Sequence, residues 1–94
     1  MSIVIVGGDH LGNIDKKLYR MGFQSILHIK GRKVSDIKKF IPKQTNVVLV
    51  LTDYVNHNLA KKVKERAKEN SLPIYFSKRA WSSISTSLQD IKIS

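Results

Sequence analysis

Four short hydrophobic runs, each followed by a polar turn and then by a helical pattern, constrain the fold of this chain more than any other feature. The runs are residues 3–6, 25–29, 47–51 and 73–76. After each turn, apolar residues recur every three or four positions, which is the period of a helix. Alternating strands and helices with short connections predict a parallel sheet with right-handed crossovers.

The composition of the four runs predicts their order in the sheet. Residues 3–6 and 47–51 are apolar at every position, as expected for central strands that are buried on both faces. Residues 25–29 and 73–76 are more mixed, and Pro73 suits an edge strand. We therefore predict an α/β, flavodoxin- or Rossmann-like (βα)4 fold, with a four-stranded parallel sheet in the order 2-1-3-4.

Four helices are expected, one after each strand. Asn13 and Ser35 are candidate N-caps of the first two, which end at Gly22 and Pro42. The third is expected to run from about 56 to 70. The apolar faces, in chain order, are Ile14, Leu18 and Met21; Val34, Ile37 and Phe40; Leu59, Val63 and Ala67; and Trp81, Ile84, Leu88 and Ile91.

Size and composition limit the class of protein. The 94 residues suffice for a single α/β domain over 1–94, and 41% hydrophobic residues are compatible with a folded core. The chain has no cysteine, which excludes disulfides and cysteine-ligated zinc. The longest apolar stretch, residues 47–51, is far shorter than the roughly 20 residues of a membrane span. We expect a cytoplasmic protein that does not bind membranes.

A large positive charge indicates a polyanionic partner. Lys and Arg number 17 against 7 Asp and Glu, which gives a formal charge of +10. Such an excess favours nucleic acid as the partner, although solubility or lysine-rich composition is the simpler alternative. The candidate nucleic-acid contacts are Lys30, Arg32, Lys33, Lys61, Lys78 and Arg79.

The turn after the first run is a candidate anion site. Its glycines, Gly7, Gly8 and Gly12, would let backbone amides approach a phosphate at a helix N-terminus. The spacing matches neither a dinucleotide fingerprint nor a Walker loop, since Asn13-Ile14 replaces Lys-Ser/Thr. The alternative is a tight turn in which the glycines serve geometry alone.

Carboxylates and histidines also fall at the predicted strand ends. Asp9 and Asp53 follow the two central strands and would accept Mg²⁺. They would equally cap their own turns or pair with basic side chains, and the positive charge around them favours pairing. His10, His28 and His57 occupy similar positions, but no triad order and no third metal ligand with recognisable spacing accompanies them, so no metal centre is assigned. Asp9, Asp53 and His57 are the candidate catalytic residues if there is catalysis.

Two further groups complete the predicted edge. Arg32 suits bidentate phosphate contacts and is the first basic residue to test. Ser82 and Ser83 open the last helix, where they would face an anion or serve as N-caps.

Four elements of the sequence resemble a known bacterial family. They are V-G-G-D-x-x-G from Val6, H-x-x-G-R from His28, D-x-V-x-H from Asp53 and S-x-x-x-x-S-S from Ser77. Together they resemble the uncharacterised domain-of-unknown-function family 2325, whose members commonly have serine where this chain has Asn56. The resemblance supplies no activity. The site that it implies is Gly7, Gly8, Asp9, Gly12, His28, Gly31, Arg32, Asp53, His57, Ser77, Ser82 and Ser83.

Three functions follow as hypotheses. The first is a basic domain that binds nucleic acid or a nucleotide phosphate at the carboxyl edge of the sheet. The second is a metal-dependent phosphodiesterase or nucleotide hydrolase that uses the candidate catalytic residues with a divalent metal, for which Mg²⁺ is a candidate. The third is a homodimeric protein-interaction module, since so small a core favours association.

Overall fold

The computed structural model describes residues 1–30 and 41–91 and confirms the predicted fold class. Its four strands are parallel and lie in the order β2-β1-β3-β4. The predicted second helix, with Val34, Ile37 and Phe40, lies outside the described residues. The elements in chain order are β1 (Ser2–Val6), α1 (Ile14–Met21), β2 (Ser25–Ile29), β3 (Val47–Leu51), α2 (His57–Glu69), β4 (Ile74–Ser77) and α3 (Trp81–Leu88).

The two all-apolar strands occupy the centre, as their composition predicts. Every residue of β3 is buried, and β1 is buried from Ile3 to Val6. In β2 only Ile29 is buried, and in β4 only Ser77, because each of these strands has one neighbour. Hydrophobic burial on both faces therefore selects which strands are central.

The side chains of the central strands alternate between two cores, one on each face of the sheet. Ile5 and Leu49 point to the face covered by α1 and α3, where Leu18 and Ile84 pack against them. On the opposite face, covered by α2, the core cluster is Val4, Val6, Ile29, Val48, Val50, Leu59 and Val63. The sheet is thus the middle layer of three.

The helix ends match the sequence signals at most positions. Gly22 terminates α1 with φ +113°, and its amide donates to the Leu18 and Tyr19 carbonyls. Asn13 does occupy the N-cap position of α1, although its side chain makes no capping hydrogen bond. Within residues 1–30 and 41–91, no helix is long and apolar enough to span a bilayer.

Candidate functional site

The carboxyl ends of the four parallel strands define one edge of the sheet, and the predicted site residues follow them there. The turn after β1 carries Gly7, Gly8, Asp9 and Gly12. Other predicted residues at this edge are His28, Asp53, His57, Ser77, Lys78, Arg79, Ser82 and Ser83. Gly31, Arg32 and Lys33 lie outside the described residues, so their place in the site stays a prediction.

The amides of Gly7 and Gly8 bond to a neighbouring strand and a neighbouring turn. The Gly7 amide donates to the Ile29 carbonyl at 2.8 Å, and the Gly8 amide donates to the Tyr54 carbonyl at 2.9 Å. Both donors thus already have acceptors inside the protein. These bonds support the interpretation in which the two glycines serve the geometry of the turn. They do not support an amide cradle for phosphate.

A side chain at Gly7 would be strained. Its φ is +121°, and a Cβ there would lie 3.0 Å from the Leu51 carbonyl oxygen and 3.1 Å from the Leu51 Cβ. Both the left-handed backbone and the contact with β3 require glycine. The turn after β1 is therefore wedged against the end of the neighbouring strand.

Gly8 and Gly12 leave room for the side chain of Arg79. A Cβ at Gly8 would lie 3.9 Å from the Arg79 Nε, and one at Gly12 would lie 3.4 Å from its Nη2. The backbone at these glycines has φ +77° and +60°. The glycines of the first turn therefore border a guanidinium supplied from the turn after β4.

Arg79 connects three of the turns. Its Nη2 donates to the His10 carbonyl at 2.8 Å, and its backbone amide donates to Asp53 Oδ1 at 3.0 Å. Asp53, which we expected to cap its own turn, to pair with a basic side chain or to hold Mg²⁺, therefore braces the backbone of the turn after β4. The guanidinium is a planar fork of N–H donors, and the His10 carbonyl is their acceptor among the described residues.

The histidines have different roles in the structure. The His28 Nε2 donates to the Gly7 carbonyl at 2.8 Å, so this half-buried ring ties β2 to the turn after β1. His57 is the exposed first residue of α2, and the His10 side chain is exposed. Within the part of the chain that the structure describes, no group of three His, Asp or Glu side chains is placed to hold a metal ion.

Ser77 makes contacts at the end of β4. Its hydroxyl donates to the Lys78 carbonyl at 2.7 Å, while its own carbonyl accepts the Thr52 amide at 2.9 Å. It is buried. These contacts give Ser77 a structural role in holding the turn after β3 beside β4.

The helices α2 and α3 begin differently at this edge. The Asn56 Oδ1 caps α2 by accepting the amides of Asn58 and Leu59 at 2.9 and 3.2 Å. Serine, which the resemblance places at this position, is an equally good N-cap. Asn56 therefore caps α2 as well as a serine at this position would.

The N-cap of α3 is Ala80, so the alternative in which Ser82 and Ser83 are N-caps is wrong. The two serines are the second and third residues of the helix, because the turn after β4 ends at Ala80, before either serine. No side chain caps α3, and among residues 1–30 and 41–91 the amides of Trp81 and Ser82 have no acceptor.

Tyr54 is a residue of this edge that the sequence interpretation missed. The residue is 57% exposed, and its Cβ lies 4.0 Å from the position that a Cβ of Gly8 would take. An aromatic residue in the turn between β3 and α2 was the available signal. Likewise, Arg79 was one of six basic candidates, and no pattern in the sequence distinguished it as the central one.

The described edge thus combines a guanidinium, an uncapped helix start and an exposed aromatic ring. Searches of curated proteins and of solved structures found no significant match to this chain. Residues 2–91, nearly the whole chain, match a family described as an uncharacterised protein conserved in bacteria. The chain belongs to this bacterial family, domain-of-unknown-function family 2325.

Proposed function

We propose that this domain binds nucleic acid or a nucleotide phosphate at the carboxyl edge of its sheet. The observation that carries the proposal is the Arg79 guanidinium, which the His10 carbonyl holds beside Gly8 and Gly12. Arginine presents its donors in a planar fork that matches phosphate oxygens. Because one hydrogen bond already orients the side chain, little conformational freedom is lost when an anion binds.

The start of α3 supports the same ligand. The amides of Trp81 and Ser82 have no acceptor among the described residues, and they follow Arg79 directly in the chain. A helix N-terminus carries a partial positive charge that favours anions. The hydroxyls of Ser82 and Ser83 lie in the same first turn.

A row of basic residues on α2 extends the positive surface away from this edge. His57, Lys61, Lys64 and Lys68 are spaced by four, three and four positions, so they lie along one side of the helix, and all are exposed. We call these residues the α2 row. Lys62 lies on another side of α2, where its Nζ is 3.7 Å from Glu65 Oε2.

The hydrolase hypothesis has less support from the contacts. Asp53, one of its proposed catalytic groups, already accepts a hydrogen bond from the Arg79 backbone. The proposed activity is therefore binding, in a cytoplasmic setting that a cysteine-free chain suits. Association into homodimers is compatible with it.

The test is a titration of fluorescent single-stranded and duplex DNA at two salt concentrations. We expect binding that weakens steeply with salt, because phosphate contacts release counterions. Arg79→Ala should lower the affinity about tenfold, as expected for loss of a charge-assisted hydrogen bond. Lys62→Ala removes the same charge from a paired site and should have little effect. Absence of salt-sensitive binding to both probes would refute the proposal.

The α2 row gives a finer measurement in the same assay. Lys61→Gln should reduce the slope of log affinity against log salt by about one, as for the loss of one phosphate contact. Lys62→Gln should leave the slope unchanged. Equal slopes for both variants would remove α2 from the interface.

A further inference from the structure

We infer that Tyr54 stacks on an unpaired nucleobase of the ligand, so that the site prefers single-stranded nucleic acid or a free nucleotide to duplex. This inference rests on the proposed function and specifies its ligand. Tyr54 is among three exposed large hydrophobic residues in the described part of the chain, with Tyr19 and Phe76. Of these, Tyr54 is the one in a turn at the carboxyl edge.

The backbone of Tyr54 is fixed while its ring remains exposed. The Tyr54 amide donates to the Leu51 carbonyl at 3.1 Å, and its carbonyl accepts the Gly8 amide at 2.9 Å. The residue is nevertheless 57% exposed. A ring on an anchored backbone loses little freedom when it contacts a ligand, because only two side-chain torsions remain to be ordered.

Tyr54 and the Arg79 guanidinium border the same glycine. The point that a Gly8 Cβ would occupy lies 4.0 Å from the Tyr54 Cβ and 3.9 Å from the Arg79 Nε. Gly8 itself has no side chain to fill the space between them. One nucleotide can thus present its phosphate to Arg79 and its base to Tyr54.

The chemistry of stacking determines which ligands qualify. An aromatic ring stacks on any base, at about 1–3 kcal/mol per base, but it needs an exposed base face. Bases inside a duplex are already stacked on each other, so their faces are not accessible. The ligand class is therefore a nucleotide with an unpaired base, either free or within a single strand.

The experiment compares four probes that share phosphate chemistry and differ in their bases. They are a fluorescent single-stranded oligonucleotide, its duplex, an abasic oligonucleotide of the same length and, as competitor, a mononucleotide. The wild-type protein should bind the base-bearing single strand about tenfold more tightly than the abasic strand, as one stacked base predicts. Competition by the mononucleotide would identify a single-nucleotide site, whereas its failure would assign the interaction to a strand.

Three variants test whether the Tyr54 ring causes the preference for the base-bearing strand. Tyr54→Ala should lose the tenfold preference and bind the abasic strand as the wild-type protein does, while Tyr54→Phe should keep the preference. Tyr19→Ala removes a tyrosine of similar exposure, 50%, from α1 and should behave as wild type. Far-UV circular dichroism verifies that each variant folds.

The outcomes separate this inference from the proposed function. If wild-type protein binds duplex, abasic and base-bearing strands alike with strong salt dependence, stacking is wrong and phosphate binding stands. Stacking is also wrong if Tyr54→Ala weakens binding to the base-bearing and abasic strands equally. If none of the strands binds in a salt-dependent way, both ideas fail.

Discussion

The carboxyl edge of this sheet contains two kinds of connection. The inner turns, residues 7–12 and 52–56, bond to each other and to the adjacent strands through Gly7, Gly8 and Tyr54. The outer turn, residues 78–80, is braced by Asp53 but leads into a helix that no side chain of the described residues caps. Position at the edge of a parallel sheet is therefore insufficient to make a turn available to a ligand. What matters is whether its donors already have acceptors.

The largest expected effect tests the structural role of the inner turns. Gly7→Ala should destabilise the protein by about 3 kcal/mol, through backbone strain and overpacking against Leu51. Gly8→Ala should cost only about 1 kcal/mol, because the left-handed backbone is its main penalty there. Urea denaturation measures both. Equal losses of stability would contradict the close packing of Gly7 against Leu51.

The brace between the two kinds of turn is the next test. Asp53→Ala should lower stability by about 1.5 kcal/mol, at the low end for a hydrogen bond to a charged group because the carboxylate is exposed. It should also weaken DNA binding by freeing Arg79. Asp53→Asn keeps an acceptor oxygen and should preserve most of both properties. An unchanged affinity in Asp53→Ala would show that Arg79 needs no brace.

Removing the cap of α2 should affect stability alone. Asn56→Ala deletes the acceptor of the Asn58 and Leu59 amides and should cost about 1 kcal/mol. Asn56→Ser should retain most of that stability. DNA affinity, measured by fluorescence anisotropy, should be unchanged in both. A tenfold loss of affinity in Asn56→Ala would move the ligand to α2.

The smallest effect comes from adding a cap to α3. Ala80→Asn would supply the side-chain acceptor that α3 lacks and should stabilise the free protein by about 0.5 kcal/mol. If the uncapped amides serve the ligand, the same change should weaken oligonucleotide binding severalfold. Thermal unfolding and anisotropy give the two readings. Greater stability with full affinity would exclude the α3 amides from the site.

The fold was predictable because its signals are local or depend on average burial. The uniformly apolar runs at 3–6 and 47–51 correctly identified the central strands, and the spacing of Leu59, Val63 and Ala67 identified the buried face of α2. Glycine at position 22 also ended α1 as expected. Each of these inferences needs only neighbouring residues and the periods of helix and strand.

The details of the site were less predictable because they depend on contacts between distant turns. Which carbonyl accepts the Gly8 amide, and which cation lies beside Gly12, cannot be obtained from spacing. The start of α3 was misjudged for a related reason. Serine is a preferred N-cap, yet the length of the turn after β4 places Ala80 at that position.

The two bonds of Gly7 to β2 have a mechanical consequence for ligand entry. Its amide is held by Ile29 and its carbonyl by His28, so the first turn and the second strand must move as one body. Residues 78–80 are attached differently, because the Arg79 amide and guanidinium bond to the turns after β3 and β1. One side of the site is thus fixed to the sheet, and we expect any small adjustment to an arriving ligand to occur on the other.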